Sequence, residues 1–179
     1  MNVPNTSSSG SDKRSYYRVS SFLPVRCRRV RPSELPGLTS EIQTREAPDV
    51  SKVDPGLAEW LDRVETKLDR ILVRYETEEE SWMTSEGALE VTLSGSGIRF
   101  PVCEEVALDS DVLMEITIPG TPKHMVRCIG RVAECEAEGK SVTVAAGFRV
   151  IAECDRDAVI AHVLEIQRSE LRRRATSDE

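Results

Sequence analysis

The stretch Ala88-Leu-Glu-Val-Thr-Leu-Ser94-Gly-Ser-Gly97-Ile-Arg-Phe-Pro-Val102 decides the fold. Apolar and polar residues alternate from Ala88 to Leu93, the period of a half-buried strand. Ser94 to Gly97 reads as a tight turn, and Ile98 to Val102 as a second strand. Working outward, Val112 to Ile118 forms a third strand, stopped by Pro119-Gly120. Met125 to Glu136 and Ser141 to Ile151 are a long pair joined by the hairpin signal Glu138-Gly139-Lys140. Upstream, Val19 to Val30 adds a sixth strand, whose Pro24 suggests an edge or a strand start. Six short strands with turn signals between them predict a small antiparallel barrel in a mainly β protein with helices.

Two helices flank this pattern. From Asp155 to Arg174 the apolar residues Val159, Ile160, Val163, Leu164 and Leu171 form one side of a C-terminal helix. Arg172, Arg173 and Arg174 sit at its end, where cations favour the helix dipole. The other helix opens at Asp54-Pro55, an N-cap followed by a residue suited to the first turn. It runs from about 55 to 80, with Leu57, Leu61, Val64, Leu68, Ile71 and Tyr75 spaced 4, 3, 4, 3, 4, which is a heptad seam. Charged residues fill the positions between. So narrow a stripe suits a partner helix, and these six residues are the candidate oligomerisation surface. Packing on the chain's own domain is the alternative. Arg31 to Pro55, rich in proline, reads as loop.

The predicted organisation is a mobile tail over 1–12 and a single domain over 13–174, with 31–87 as an insertion carrying the heptad helix. A short mobile tail follows over 175–179.

The chain has 179 residues and a formal net charge of -7, a poor start for a general nucleic-acid binder. The charge is uneven. Lys13 to Arg31 holds seven basic residues and no acidic one, leaving 17 basic and 31 acidic residues elsewhere. Tyr16 and Tyr17 accompany this basic arm, but no aromatic platform of the RNA-binding type goes with it. No apolar run approaches the roughly 18 residues needed to span a bilayer. The five cysteines form no C-x-x-C pair and are expected as free thiols in a reducing cytoplasm. Neither a phosphate loop, a nucleophile elbow nor a clustered metal-ligand set occurs, so neither an enzyme nor a cofactor is expected. His124 and His162 are expected in structural or surface roles.

Two features remain. Arg14 and Arg18 stand four apart just before the first strand, and Thr92-Leu-Ser94-Gly-Ser-Gly97 forms a strand-to-strand turn. Guanidinium groups bind phosphate, or the O6 and N7 edge of guanine, through paired hydrogen bonds. A serine turn flanked by glycines offers hydroxyl and backbone N–H groups with little bulk. Together they suit a guanine nucleotide with several phosphates.

The arginine pair, the Leu-Pro-Val strand, the S-x-x-G turn leading into Ile-Arg-Phe, the hairpin ending Gly-Phe-Arg-Val and the terminal helix together resemble the PilZ domain family. The resemblance covers roughly Arg14 to Val30 and Ala88 to Arg174. It implies a six-stranded PilZ-like barrel and a receptor for the second messenger cyclic di-GMP, signalling to a protein partner by conformational change. The family's motifs are R-x-x-x-R and [D/N]-x-S-x-x-G. Arg14 and Arg18 match the first; Ser94 and Gly97 match the end of the second. Thr92 stands where the family has Asp or Asn. One lost polar contact there costs about 1–3 kcal/mol, roughly 5- to 150-fold in affinity. The inserted helix resembles that of the atypical tetrameric PilZ type, which implies a homo-oligomer and, as an alternative function, a ligand-independent adaptor.

Overall fold

The computed structural model describes residues 17–45, 54, 56–57, 59–61, 63–64, 67–68, 82–85, 87–120, 122–139 and 141–177. The elements in chain order are β1 (Arg18–Arg29), α1 (Leu35–Gln43), β2 (Ala88–Ser94), β3 (Gly97–Val102), β4 (Asp111–Ile118), β5 (His124–Glu138), β6 (Ser141–Ile151) and α2 (Glu153–Ser177). The six strands close into an antiparallel barrel in the order β1-β2-β3-β6-β5-β4. Period-two alternation drives the closure. Val19, Leu23, Val25 and Cys27 of β1, Leu89, Val91 and Leu93 of β2, and Ile98, Phe100 and Val102 of β3 are all buried in one apolar cluster. Their polar neighbours point out. The β5–β6 turn falls at Gly139, whose φ of 62° is a backbone conformation that glycine adopts without strain.

Pro24 does not mark an edge. Residues Arg18 to Pro24 pair with β2, and Val25 to Arg29 pair with β4. Pro24 sits at the handover, where the missing N–H interrupts neither ladder's interior. One strand thereby clasps both sides of the barrel seam.

The region after β1 contains an element that its sequence hides. Arg31 to Pro55 reads as loop, yet Leu35–Gln43 is helical, with Pro36 in its first turn. Leu35, Leu38 and Ile42 repeat at i, i+3 and i+7, a helical stripe that Pro36 and Gly37 disguise. Ile42 is 1% exposed and packs on Leu113 and Ile129, the outward residues of β4 and β5, with Val30, Leu35, Leu38 and Val150 around them.

The heptad helix is described in part. Residues 56, 57, 59–61, 63, 64, 67 and 68 are helical. Asp54 caps its start as expected, its Oδ1 accepting the N–H groups of Gly56 at 2.9 Å and Leu57 at 3.3 Å. Ile71 and Tyr75 lie outside the described residues, as does the tail over 1–12. On its return the chain is pinned again. Met83 donates its N–H to the Cys27 carbonyl at 2.7 Å and accepts the Cys103 N–H at 2.7 Å. Its side chain is buried in the barrel core.

Helix α2 covers the barrel. Val159 and Val163 join the core cluster, and Ile166 packs against it. The helix continues to Ser177, into the stretch expected as tail. Its first turn carries Asp155, fully buried. One carboxylate oxygen meets His124 Nε2 at 2.7 Å; the other accepts the Arg127 N–H at 3.2 Å and lies 3.5 Å from Arg45. His124 is therefore a structural partner that locks α2 to β5. No helix among the described residues is long and apolar enough to cross a membrane.

Candidate anion site on the barrel face

Strand register gathers the motif residues. Arg18 pairs with Ser94, Ser94 with Gly97, and Gly97 with Gly147. Directly paired residues put their side chains on the same face, so Arg18, Ser94 and the two glycines form one row across β1, β2, β3 and β6. The neighbouring row runs Ser20, Thr92, Arg99 and Ala145. Three of the five residues expected in the ligand site thus share a row, and Thr92 lies in the next. Arg14 lies outside the described residues.

The glycines do different work. A Cβ on Gly97 would lie 2.5 Å from the Ala146 carbonyl oxygen and 3.0 Å from Gly147 Cα, so β3 and β6 approach this closely only because Gly97 has no side chain. A Cβ on Gly147 would meet only the Ser96 oxygen, at 3.8 Å. Gly147 is exposed and its place in the row is open. Neither glycine adds a side chain, so the row beside Ser94 is a bare shelf of backbone.

Ser94 shapes the turn. Its hydroxyl donates to the Gly97 carbonyl at 3.1 Å, approaches Ser96 Oγ at 3.2 Å and receives the Ser96 N–H at 3.4 Å. It is 5% exposed, so it acts first as the brace of the hairpin. Thr92 is half-buried and faces out.

The arginines of the basic segment divide sharply. Arg26 lies over the Trp82 ring at 3.9 Å and 3.5 Å from Glu115. Arg28, almost buried, reaches Glu34 at 3.3 Å and the Arg29 carbonyl at 3.2 Å. Arg29 pairs with Glu104 at 3.2 Å and donates to the Glu105 carbonyl at 2.8 Å. Glu34 also accepts the Arg31 N–H, and this bond, reinforced by Arg28, holds its carboxyl below the usual range. Arg18 is exposed and makes no ion pair among the described residues. In the row beside it, Arg99 pairs with Glu134 at 3.2 Å and with Glu136.

Sequence reasoning missed the residues that reach this site from afar. Arg156 of α2 donates to the Gly95 carbonyl at 3.4 Å, across 61 residues of chain. No local pattern marks such a contact. Among the described residues, no group of three or more His, Cys, Asp or Glu could hold a metal ion. The five cysteines are free; burial pushes the Cys27 thiol up to about 12 and raises that of Cys128 too, leaving both as inert core side chains.

No family model and no curated protein sequence matches the chain. Solved structures do. The Bacillus subtilis inhibitor of motility, MotI/DgrA, superposes with a TM-score of 0.51 at 13% identity, over 89% of this chain. The chain spans about half of that protein, 53% of its length. A Xanthomonas campestris protein, described as a tetrameric PilZ domain self-assembled through a helical bundle, superposes with a TM-score of 0.52 at 16% identity. That match covers 88% of this chain and 89% of the other. At such identities the likeness shows the fold alone, and with the closed six-stranded barrel and its terminal helix that fold is PilZ-like.

Proposed function

We propose that the protein is a non-enzymatic receptor for cyclic di-GMP. The observation that carries this reading is the row Arg18, Ser94, Gly97, Gly147: an uncommitted guanidinium beside a braced serine turn and a bare shelf. Arg14 and Arg18 bind the phosphates and guanine edges, the Ser94–Gly97 turn and Gly147 seat a base, and Thr92 contributes one hydroxyl in place of a carboxylate or amide. Binding changes the surface offered to a protein partner. Free thiols suit a reducing cytoplasm. Isothermal titration with cyclic di-GMP tests the reading. Heat of binding that Gly147→Val abolishes is the expected result, because that side chain fills the shelf without touching the core. Absence of heat at high micromolar nucleotide refutes it.

A second reading is favoured by the inserted helix. Leu57 is 49% exposed, Leu61 47% and Leu68 52%, so these three seam residues are open to a partner. Trp60 beside them is 58% exposed. The seam buries itself in a homo-oligomer, as the helical bundle of the Xanthomonas protein suggests. Light scattering on Leu61→Glu, Leu68→Glu protein should give a lower mass than wild type; an unchanged mass excludes helix-driven assembly. If such oligomers form and bind no nucleotide, the protein is a ligand-independent adaptor.

A further inference from the structure

Charge pairing singles out one arginine outside both motifs. A partly buried guanidinium is costly unless a carboxylate neutralises it. Arg26 has Glu115, Arg28 has Glu34, Arg99 has Glu134, and Arg127 has Glu41 and Glu115. Arg156 is half-buried like most of these, yet has no carboxylate among the described residues. Its one polar contact is the neutral Gly95 carbonyl at 3.4 Å. The adjacent Asp155 cannot serve, because its oxygens are occupied by His124, the Arg127 N–H and Arg45. Gly95 is the residue after Ser94, whose cross-strand partner is Arg18. Two arginines without carboxylates among the described residues, one on β1 paired with Ser94 and one on α2 bonded to Gly95, therefore stand at adjoining residues of the same turn. A cation held this way is stabilised by an anion arriving between them.

We propose that Arg156 is a third arginine of the anion site, supplied by the C-terminal helix to a phosphate of the bound nucleotide. The inference rests on the receptor reading. It adds that the ligand is gripped from both sides of the β2–β3 turn, so that α2 is part of the site and not only a cover for the core. The carbonyl contact holds the guanidinium near the turn before binding, which reduces the ordering cost of recruiting it.

Cyclic di-GMP titrations of wild type, Arg156→Lys and Arg156→Gln at several salt concentrations test this. Both variants keep a side-chain N–H donor for Gly95, and only the lysine keeps the charge. Arg156→Gln is expected to bind about tenfold or more weakly, with Arg156→Lys between it and wild type. The glutamine variant should also show a flatter dependence of affinity on salt, which a role confined to bracing the turn would leave unchanged. Wild-type affinity and salt dependence in Arg156→Gln overturn the inference and leave the receptor reading standing. A wild type that binds no cyclic di-GMP removes both.

Discussion

The two halves of β1 carry similar residues to opposite ends. In the second half, Arg26, Arg28 and Arg29 are drawn into pairs with Glu115, Glu34 and Glu104, and Trp82 lies under Arg26. In the first half, Arg18 points outward beside Ser94 and engages no carboxylate among the described residues. The second half is where the chain leaves for the insertion and returns, so its cations meet Glu34 at the start of α1, Glu104 of the β3–β4 connection and Glu115 of β4. The first half pairs with β2, beyond which Gly97 and Gly147 continue the row of Arg18. The same basic segment thus fastens the fold at one end and presents charge at the other. A cation's role is fixed by what the neighbouring strands leave beside it.

Substitutions can break this contrast. The largest effect is expected at Met83, whose backbone bridges Cys27 and Cys103 and whose side chain is 2% exposed. Met83→Ala should lower unfolding free energy by about 2–5 kcal/mol, read from denaturant midpoints. Next, Arg18→Ala should weaken cyclic di-GMP binding by about 1.5–3 kcal/mol without moving the melting temperature. Arg28→Ala should do the reverse, costing about 1–2 kcal/mol of stability while nucleotide affinity holds. Loss of binding in Arg28→Ala with stability unchanged would erase the distinction between the halves. Arg26→Ala removes the cation over Trp82 and should cost about 0.5–1 kcal/mol, with a shift in tryptophan emission as a second readout.

The smallest expected effect is a dependence on pH. His162 is 8% exposed, its Nε2 is buried without a hydrogen-bond partner among the described residues, and burial lowers its pKa from 6.5 despite Glu165 nearby. The unfolded chain therefore binds this proton more readily than the folded one. The contribution to stability is complete above pH 6.5 and declines as pH falls below it. Melting temperatures measured from pH 7.5 to 5.5 should fall less in His162→Phe than in wild type.

Much of this architecture was legible in the sequence, because strands with one buried face must alternate. The runs at Ala88, Ile98, Val112 and Ser141 each became a strand within a residue or so of the predicted ends. Helix α1 was not legible, since Pro36 and Gly37 lower helix propensity and only packing on Leu113 and Ile129 repays it. Pro24 misled in the other direction: an edge signal in a strand that has two partners in turn. At the candidate site, the spacing of Ser94 and Gly97 was readable because a hairpin places them by local geometry. Gly147 and Arg156 were not, because register across the barrel and the docking of α2 bring them in from distant positions. Met83 left a faint signal, a Trp-Met pair in an otherwise polar stretch.

The two anchors of the insertion have a consequence for what the barrel can host. One limb leaves through α1, sealed onto β4 and β5 by Ile42; the other returns through Met83, fastened to β1. With both ends fixed, the insertion closes a loop on the barrel, and the entropy cost of loop closure grows only with the logarithm of the loop's length. Each doubling costs only about 0.6 kcal/mol. Related barrels can therefore lengthen, shorten or replace this arm almost without penalty to the fold, while the row across β1, β2, β3 and β6 stays as it is.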